Sequence, residues 1–295
     1  TLASSHNDAL QTLYASVSER ASAQSCIPLH SPGSAAQKTV AGKTYLYWRV
    51  YLASGKHKET SLGRVGDPRC EAALEEKRLE SAEMRELASE VQLLRKAGFA
   101  AADNSSALTL ATLFNAGIFS HGGVLVGSHA FGALLNSLGV RLAANYATED
   151  IDIGSAGSIS LAIPQVRSFL AILPDSGVAF FEVPELDPQK PSTAFKARGR
   201  PLKVDLLVPG TEAYETKPLP QIRAHATGLP YFGYLISDGT RGFVLGKEHV
   251  VPVMLPDPAR FALHKLIVST LRDPSRAIKA NKDRRQTTVV IGALM

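Results

Sequence analysis

The sequence predicts an α+β fold in which a mixed sheet with helices forms the core. Apolar runs at 122–126, 148–153 and 202–208 have the length and the β-branched composition of core strands. Apolar residues at 3- and 4-residue spacing predict helices before and after these runs. An aromatic and β-branched run at 43–52 predicts a separate β-hairpin nearer the N-terminus.

Composition favours a globular chain, and its length favours two domains, possibly three. The chain has 295 residues, of which 45% are hydrophobic and 20% charged, and a net charge of +5. No apolar run approaches the ~18 residues of a membrane span, and the start lacks a signal-peptide pattern, so a cytoplasmic protein without a membrane partner is expected. Cys26 and Cys70 are isolated, which favours free thiols over a zinc site or disulfide framework. The predicted parts are an N-terminal helical and β-hairpin region at 1–103, a core at 104–212, and C-terminal strands and helices at 213–295.

The N-terminal region is predicted to alternate helices with the hairpin. Asp67 and Pro68 mark the start of its long helix, and Gly98 marks the end. The predicted elements are a helix at 7–24, a loop at 27–42, strands at 43–52 and 57–63, a long helix at 71–97, a linker at 101–107 and the first core helix at 108–117.

A small Gly–Ser turn opens the stretch that carries the candidate chemistry. An apolar run leads into Gly127 and Ser128, and a helix pattern follows over 128–138. A strand–turn–helix junction of small residues presents free backbone N–H groups, which favour phosphate together with the helix dipole. This junction is therefore predicted to bind phosphates.

Three acids are predicted to lie beside this junction. Asp150 and Asp152 project from one face of a strand, because strand side chains alternate between faces. Asp205 is the single acid of the later apolar run. Such acids repel one another unless a cation lies among them, and oxygen ligands suit Mg²⁺, with Mn²⁺ as an alternative. Asp150, Asp152 and Asp205 are therefore the predicted metal ligands.

The order of these residues resembles the motifs of the nucleotidyltransferase superfamily with the polymerase-β-like fold. The motifs are a hydrophobic residue with Gly–Ser, then Asp-x-Asp on a strand, then a third strand Asp. Gly127, Ser128, Asp150, Asp152 and Asp205 match them, and the resemblance covers roughly 105–283.

The pattern is most similar to the abortive-infection-type nucleotidyltransferase toxins. In that branch a Thr-x-Asp-Ile-Asp run is common, as found at 148–152. The branch also carries a lysine in a later helix and a downstream Lys–Asp pair, which Lys265 and Lys282–Asp283 match.

The resemblance implies Mg²⁺-dependent transfer of a nucleoside monophosphate from an NTP, such as ATP, to an acceptor that is RNA or a protein. The three aspartates would be catalytic. Gly127, Ser128, Thr148 and Lys265 would bind the nucleotide.

Other interpretations stay open. Asp150 and Asp152 would need no metal on a solvated edge strand, although their apolar neighbours favour a core strand. Lys265 is as often solvated as functional at such a helix position. The alternative function is a nucleic-acid-binding or nucleotide-sensing protein with an inactive nucleotidyltransferase core. The sequence does not indicate an oligomeric state.

The remaining elements are expected to place further polar side chains around the site. A hairpin turn at 198–201 would bring bases to Asp205, either as a rim that contacts triphosphate or RNA or as a solvated turn. Arg260, His264 and Lys265 are candidates for the cleft. The bases are Lys196, Arg198, Arg200 and Lys203. The predicted elements are a helix at 164–173, strands at 193–196, 202–208, 231–236 and 243–254, and a helix at 256–271.

The N-terminal hairpin carries aromatic and basic side chains together, which is typical of surfaces that stack bases and contact a nucleic-acid backbone. It weakly resembles the arm-binding hairpin of tyrosine recombinases over some 25 residues. Packing of the aromatics on the following helix, with solvated bases, is the competing interpretation. The residues are Tyr45, Tyr47, Trp48, Arg49, Lys56, His57, Lys58 and Arg64.

Overall fold

A computed structural model describes residues 3–142, 149–157, 167–185, 187–212, 214–271, 275 and 277–295. Helices and a mixed sheet confirm the predicted α+β fold. Within the described ranges, none of the helices combines the length and hydropathy that crossing a membrane requires. The elements are β1 (Ala3–Ser5), α1 (Asp8–Ser22), β2 (Ser34–Val40), β3 (Lys43–Tyr51), β4 (His57–Arg64), α2 (Pro68–Lys96), α3 (Asn104–Asn115), β5 (Val124–Val126), α4 (Gly127–Ser137), β6 (Val140–Leu142), β7 (Asp150–Gly154), α5 (Phe169–Ile172), β8 (Phe180–Glu182), β9 (Ala194–Ala197), β10 (Lys203–Pro209), β11 (Thr216–Leu219), β12 (Ala224–Leu229), α6 (Phe232–Ile236), β13 (Thr240–Leu245), β14 (Val250–Leu255), α7 (Pro258–Leu271) and α8 (Ala277–Leu294).

The central sheet is organised around β10. This strand runs parallel to β7 and β12 and antiparallel to β9, while β5 is antiparallel to β7. Its side chains alternate as a half-buried strand requires: Val204, Leu206 and Val208 are buried in the core, and Lys203 and Asp205 lie on the other face. The same face of the sheet therefore presents the polar residues of β7 and β10.

The N-terminal region has its own small sheet and core. Strands β2, β3 and β4 form an antiparallel sheet, and Leu46 and Trp48 are buried on one of its faces. Helices α1 and α2 pack against each other, with Val17, Val91 and Leu94 fully buried in the core that they share. Cys26 and Cys70 are both free thiols, as predicted.

Four element predictions are wrong. The expected loop at 27–42 contains β2, because its backbone pairs with β3 over seven residues despite a composition poor in strand formers. The expected linker at 101–107 includes the start of α3, where the Asp103 side chain accepts hydrogen bonds from the backbone N–H groups of Ser105 and Ser106.

The third error concerns 231–236, which forms the short helix α6 and not a strand. Tyr231 takes a left-handed conformation at φ +61° and starts the helix. Phe232, Leu235 and Ile236 are then buried at 3- and 4-residue spacing, which a six-residue apolar run does not distinguish from a strand.

The fourth error is the predicted strand at 243–254, which is two strands: β13 and β14 pair antiparallel, and a turn closed by a hydrogen bond from Gly246 N–H to the His249 carbonyl joins them. Part of the predicted helix at 164–173 lies outside the described residues, and α5 occupies its C-terminal part.

Candidate active site

The Gly–Ser junction lies directly against the Asp-x-Asp strand. Gly127 has φ +70°, and a Cβ atom built on it would lie 2.0 Å from Oδ2 of Asp152. Val126, which precedes helix α4, forms no side-chain capping hydrogen bond with the first turn. The junction therefore brings helix N–H donors and a carboxylate to one point, which is the geometry that a phosphate and its counter-cation require.

Ser128, the second residue of the junction, contacts a residue that is distant in sequence. Nζ of Lys282 in α8 donates a hydrogen bond to Oγ of Ser128 at 2.9 Å. Burial, followed by the positive charge of Lys265, lowers the pKa of Lys282. Lys282 thus supplies a poorly solvated cation at the junction, and nothing in its local sequence alone indicates the contact with Ser128.

The aspartates lie on one face of two parallel strands. Asp205 is paired in register with Asp152, and Lys203 with Asp150. Asp152 is mostly buried, whereas Asp150 lies at the exposed start of β7. Burial, followed by the charge of Asp205, raises the pKa of Asp152 to about 6. Burial also raises the pKa of Asp205.

One lysine of the expected basic rim lies among these acids. Nζ of Lys203 is 2.8 Å from Oδ1 of Asp205 and helps to lower the pKa of Asp152 and of Asp205. Two of the other rim residues point elsewhere: Arg198 lies over the ring of Phe181, and Arg200 donates a hydrogen bond to Ser105. Lys203 is therefore the rim residue that contacts a carboxylate of the site.

Lys265 is mostly buried and not solvated. Its Nζ donates a hydrogen bond to Oδ1 of Asp283 at 3.0 Å, which joins the two residues that the resemblance singled out on different helices. Its charge also lowers the pKa of Asp152, so it lies within electrostatic reach of the carboxylates. Thr148 lies outside the described residues.

The carboxylates fit a divalent cation that shares its coordination with substrate. Among the described residues, no three His, Cys, Asp or Glu side chains group closely enough to hold a metal alone. Yet the carboxylate of Asp152 forms no hydrogen bond or ion pair with any described side chain, and Asp205 lies beside it in register. Mg²⁺ commonly takes one or two carboxylates and completes its shell with water and phosphate oxygens.

Gly127, Asp152, Lys203, Asp205 and Lys265 line a cleft of about 1010 Å³. Of the three cleft candidates on α7, His264 and Lys265 line it, while Arg260 lies outside and pairs with Asp238. Apolar and aromatic side chains also line the cleft, which the motifs did not predict. They are Leu229, Tyr231, Phe232, Leu235, Phe261 and His264.

Replacing Lys203 with methionine should destabilise the metal-free protein at pH 7. The change removes the cation paired with Asp205, and the loss in free energy of unfolding should be up to about 1 kcal/mol, since the pair is partly exposed. Excess Mg²⁺ should restore much of the lost free energy of unfolding, as measured by urea unfolding.

Lys217→Met is the matched control. Its Nζ lies 2.9 Å from Oε1 of Glu215, with similar exposure and on the same sheet. We expect a smaller loss there and no response to Mg²⁺. Equal Mg²⁺ responses in both variants would contradict a cation site at the Asp152–Asp205 pair.

Comparison with known proteins supports the assignment of the core. A search of curated proteins and a search of solved structures found no match. A family model described as "Nucleotidyltransferase" matches residues 104–295, which is more than half of the chain and includes every aspartate and lysine of the site. The chain therefore belongs to the nucleotidyltransferase family.

Proposed function

We propose that this protein transfers a nucleoside monophosphate from an NTP to an acceptor hydroxyl with the help of Mg²⁺. The observation that carries the proposal is the contact between Gly127 and the carboxylate of Asp152. It supports the proposal because the N-terminus of α4, whose N–H groups would bind phosphate, lies beside the acids on β7 and β10. Family membership supports nucleotidyl transfer in general.

Different residues of the site have different proposed roles in binding the nucleotide and the metal. Backbone N–H groups at Gly127 and Ser128 bind the β- and γ-phosphates, and Lys265 and Lys282 offset their charge. Asp152 and Asp205 hold Mg²⁺, with Asp150 at the edge of the site, and the bound ion would stabilise the charge of the reacting phosphates.

The reaction itself is an in-line displacement. The acceptor oxygen forms a bond to the α-phosphorus, the bond to the bridging α–β oxygen breaks, and pyrophosphate leaves. Asp205, whose pKa is raised by burial, is the group we propose to accept the proton of the acceptor hydroxyl.

Labelled nucleotides test this proposal directly. The protein is incubated with Mg²⁺, cellular RNA or protein, and each NTP carrying label at the α- or the γ-phosphate. Nucleotidyl transfer moves α-label and not γ-label to a macromolecule. NTP binding without any transfer would favour the nucleotide-sensing alternative, and γ-label transfer would indicate a kinase.

The outer face of the N-terminal sheet is the surface that we propose for an RNA acceptor. Trp48 is buried on the inner face and is unavailable for stacking, contrary to the stacking role expected for it. Tyr45, Tyr47 and Tyr51 alternate along β3 on the opposite face. Basic residues share that face, although Arg49 is already paired with Glu59. Aromatic rings with interleaved cations suit single-stranded RNA.

Charge reversal on this face should weaken RNA binding. Lys43→Glu combined with Arg64→Glu changes two exposed cations that have no ion pair among the described residues. We expect the slope of log affinity against log salt to fall by roughly 1.4–1.8, as each of the two lost phosphate contacts contributes ~0.7–0.9.

The control is Lys77→Glu with Arg78→Glu, which makes the same change in net charge on α2. That variant should bind RNA nearly as the wild type does in a filter-binding titration. Equal losses in the two double variants would show that net charge, not this sheet face, determines RNA affinity.

A further inference from the structure

A further carboxylate lines the cleft and lies outside the nucleotidyltransferase motifs. Glu185 follows β8 and is half-buried. Oγ1 of Thr193 donates a hydrogen bond to Oε1 of Glu185 at 3.2 Å. The second oxygen, Oε2, has no partner among the described residues and is not enclosed by protein, so a ligand in the cleft can reach it.

Two threonines position Glu185 and leave it able only to accept a hydrogen bond. Oγ1 of Thr227 donates to Oγ1 of Thr193 at 2.8 Å, and Thr193 donates its single hydroxyl proton to Glu185. A hydroxyl has one proton and a carboxylate has none, so both threonine protons are used within these three residues, which we call the Glu185 network. The open Oε2 therefore suits a ligand that donates a hydrogen bond, such as a hydroxyl, and repels a phosphate.

The sheet places the Glu185 network on the side of β10 that is opposite to the phosphate junction. Asp152, Asp205 and Ala194 occupy in-register positions on three neighbouring strands, β7, β10 and β9, about 5 Å apart. The junction contacts Asp152 at one end of this row. Thr193 directly precedes Ala194 at the other end, and its carbonyl accepts a hydrogen bond from the backbone of β10. An acceptor that approaches Asp205 from the β9 side therefore meets the Glu185 network.

Electrostatics also links Glu185 to the proposed base. Burial, followed by the charges of Asp150 and Glu185, raises the pKa of Asp205, so the two carboxylates lie within electrostatic reach of each other. Lys203 pairs with Asp205, whereas none of the cations that the structure describes pairs with Glu185. The cleft thus offers a proton acceptor for an attacking hydroxyl and, on the next strand, a carboxylate for a second hydroxyl. Carboxylates bind ribose hydroxyls in this way in dinucleotide sites.

We propose that Glu185 binds a second hydroxyl of the acceptor, which is therefore a vicinal diol such as a terminal ribose. The inference rests on the proposed nucleotidyl transfer and adds the chemical class of the acceptor. One hydroxyl gives its proton to Asp205 while its oxygen bonds to the α-phosphorus, and pyrophosphate leaves with the electron pair of the broken P–O bond. The other hydroxyl donates a hydrogen bond to Oε2 of Glu185 and is unchanged. Thr193 and Thr227 act as positioning residues.

Acceptors that differ by one hydroxyl test the proposal. Oligoribonucleotides with a 5′-phosphate and a terminal ribose, 2′-deoxyribose or 3′-deoxyribose are incubated with Mg²⁺ and the α-labelled NTPs. The wild type should label the ribose end with a kcat/KM at least about tenfold above either single-hydroxyl end, because a hydrogen bond to a charged group is lost with the second hydroxyl. Adenosine is the small-molecule probe. Label on the oligonucleotide alone identifies an RNA end as the acceptor, and label on adenosine alone identifies a free nucleoside.

Glu185→Leu should remove this preference. Leucine has a similar size but accepts no hydrogen bond, so the ratio of kcat/KM between the ribose end and the better single-hydroxyl end should fall to near one. The equilibrium affinity for NTP with Mg²⁺ should not fall. Glu182→Leu is the matched control, because it makes the same change at an exposed residue of β8 outside the cleft, and it should retain the preference.

Thr193→Val tests the positioning role. Valine keeps the shape of the buried threonine and removes the hydroxyl that joins Thr227 to Glu185. The preference for the ribose end should fall, though by less than in Glu185→Leu. A general loss of stability would instead lower the labelling of all three ends alike and leave their ratio unchanged.

The outcomes separate this inference from the proposed function. Equal kcat/KM for all three ends in the wild type, or transfer to cellular protein alone, overturns the diol acceptor while nucleotidyl transfer stands. A wild-type preference that persists in Glu185→Leu overturns the role of Glu185. If α-label reaches no acceptor at all, the proposed function and this inference are both overturned.

Discussion

Asp152→Asn should reduce transfer of α-label by about a thousandfold or more. The carboxylate touches the phosphate junction at Gly127 and faces Asp205, so its negative charge is central to the proposed cation site. Removing a metal ligand takes away several kcal/mol of transition-state stabilisation, and each ~1.4 kcal/mol changes the rate tenfold. Binding of the NTP in the absence of Mg²⁺ should be affected far less, because asparagine carries no charge to repel the phosphates.

The same variant should be more stable than the wild type in metal-free buffer at pH 7–8. The folded-state pKa of Asp152 is raised from 3.8 to about 6, so the folded protein prefers the protonated form. The stability that this preference contributes is present below pH 4 and is lost as the pH rises through 6. At ~1.4 kcal/mol per pKa unit, asparagine should recover at most about 3 kcal/mol at pH 7–8 and little at pH 4.

Glu149→Gln is the control for both measurements. It makes the same change in charge at an exposed residue three positions before Asp152. We expect near-normal transfer and no pH-dependent gain in urea unfolding. An Asp152→Asn protein with normal transfer would eliminate the proposed mechanism, and a gain independent of pH would show that burial of a charge is not the cause.

The sequence predicted the acids of the site better than it predicted their cations. Asp150, Asp152 and Asp205 follow from strand alternation, which is a local property, and the register of β7 and β10 places them on one face. The contact between Lys282 and Ser128 joins residues 154 positions apart in sequence. No periodicity within either segment encodes such a contact.

Prediction of the fold failed where tertiary context overrides local preference. β2 is a strand because its backbone pairs with β3, although the composition of β2 is typical of a loop. Helix α6 is too short for its period to be distinguished, and its start at Tyr231 depends on a left-handed backbone that non-glycine residues rarely adopt.

Gly127→Ala should disable the site through a single methyl group. A Cβ atom at this position would lie 2.0 Å from Oδ2 of Asp152, so either the carboxylate or the backbone of the junction must move. The backbone at φ +70° adds a cost of about 1–2 kcal/mol for any residue with a Cβ atom. We expect transfer to fall by about a hundredfold or more, because misplacement of reacting groups by about 1 Å costs that much. The free energy of unfolding should fall by more than the backbone term alone.

Gly42→Ala separates the backbone term from the collision. Gly42 has φ +72° in the β2–β3 turn, and a Cβ atom there would meet nothing within 4 Å. This variant should lose only about 1–2 kcal/mol of free energy of unfolding, measured with urea, and should keep its transfer activity.

Removing the Asp152 side chain also removes the collision: in an Asp152→Gly background, Gly127→Ala should cost no more stability than Gly42→Ala does. If Gly127→Ala destabilises an otherwise wild-type chain only as much as Gly42→Ala and still transfers α-label, then Gly127 and Asp152 are not in contact, and the phosphate junction and the carboxylates do not form one site.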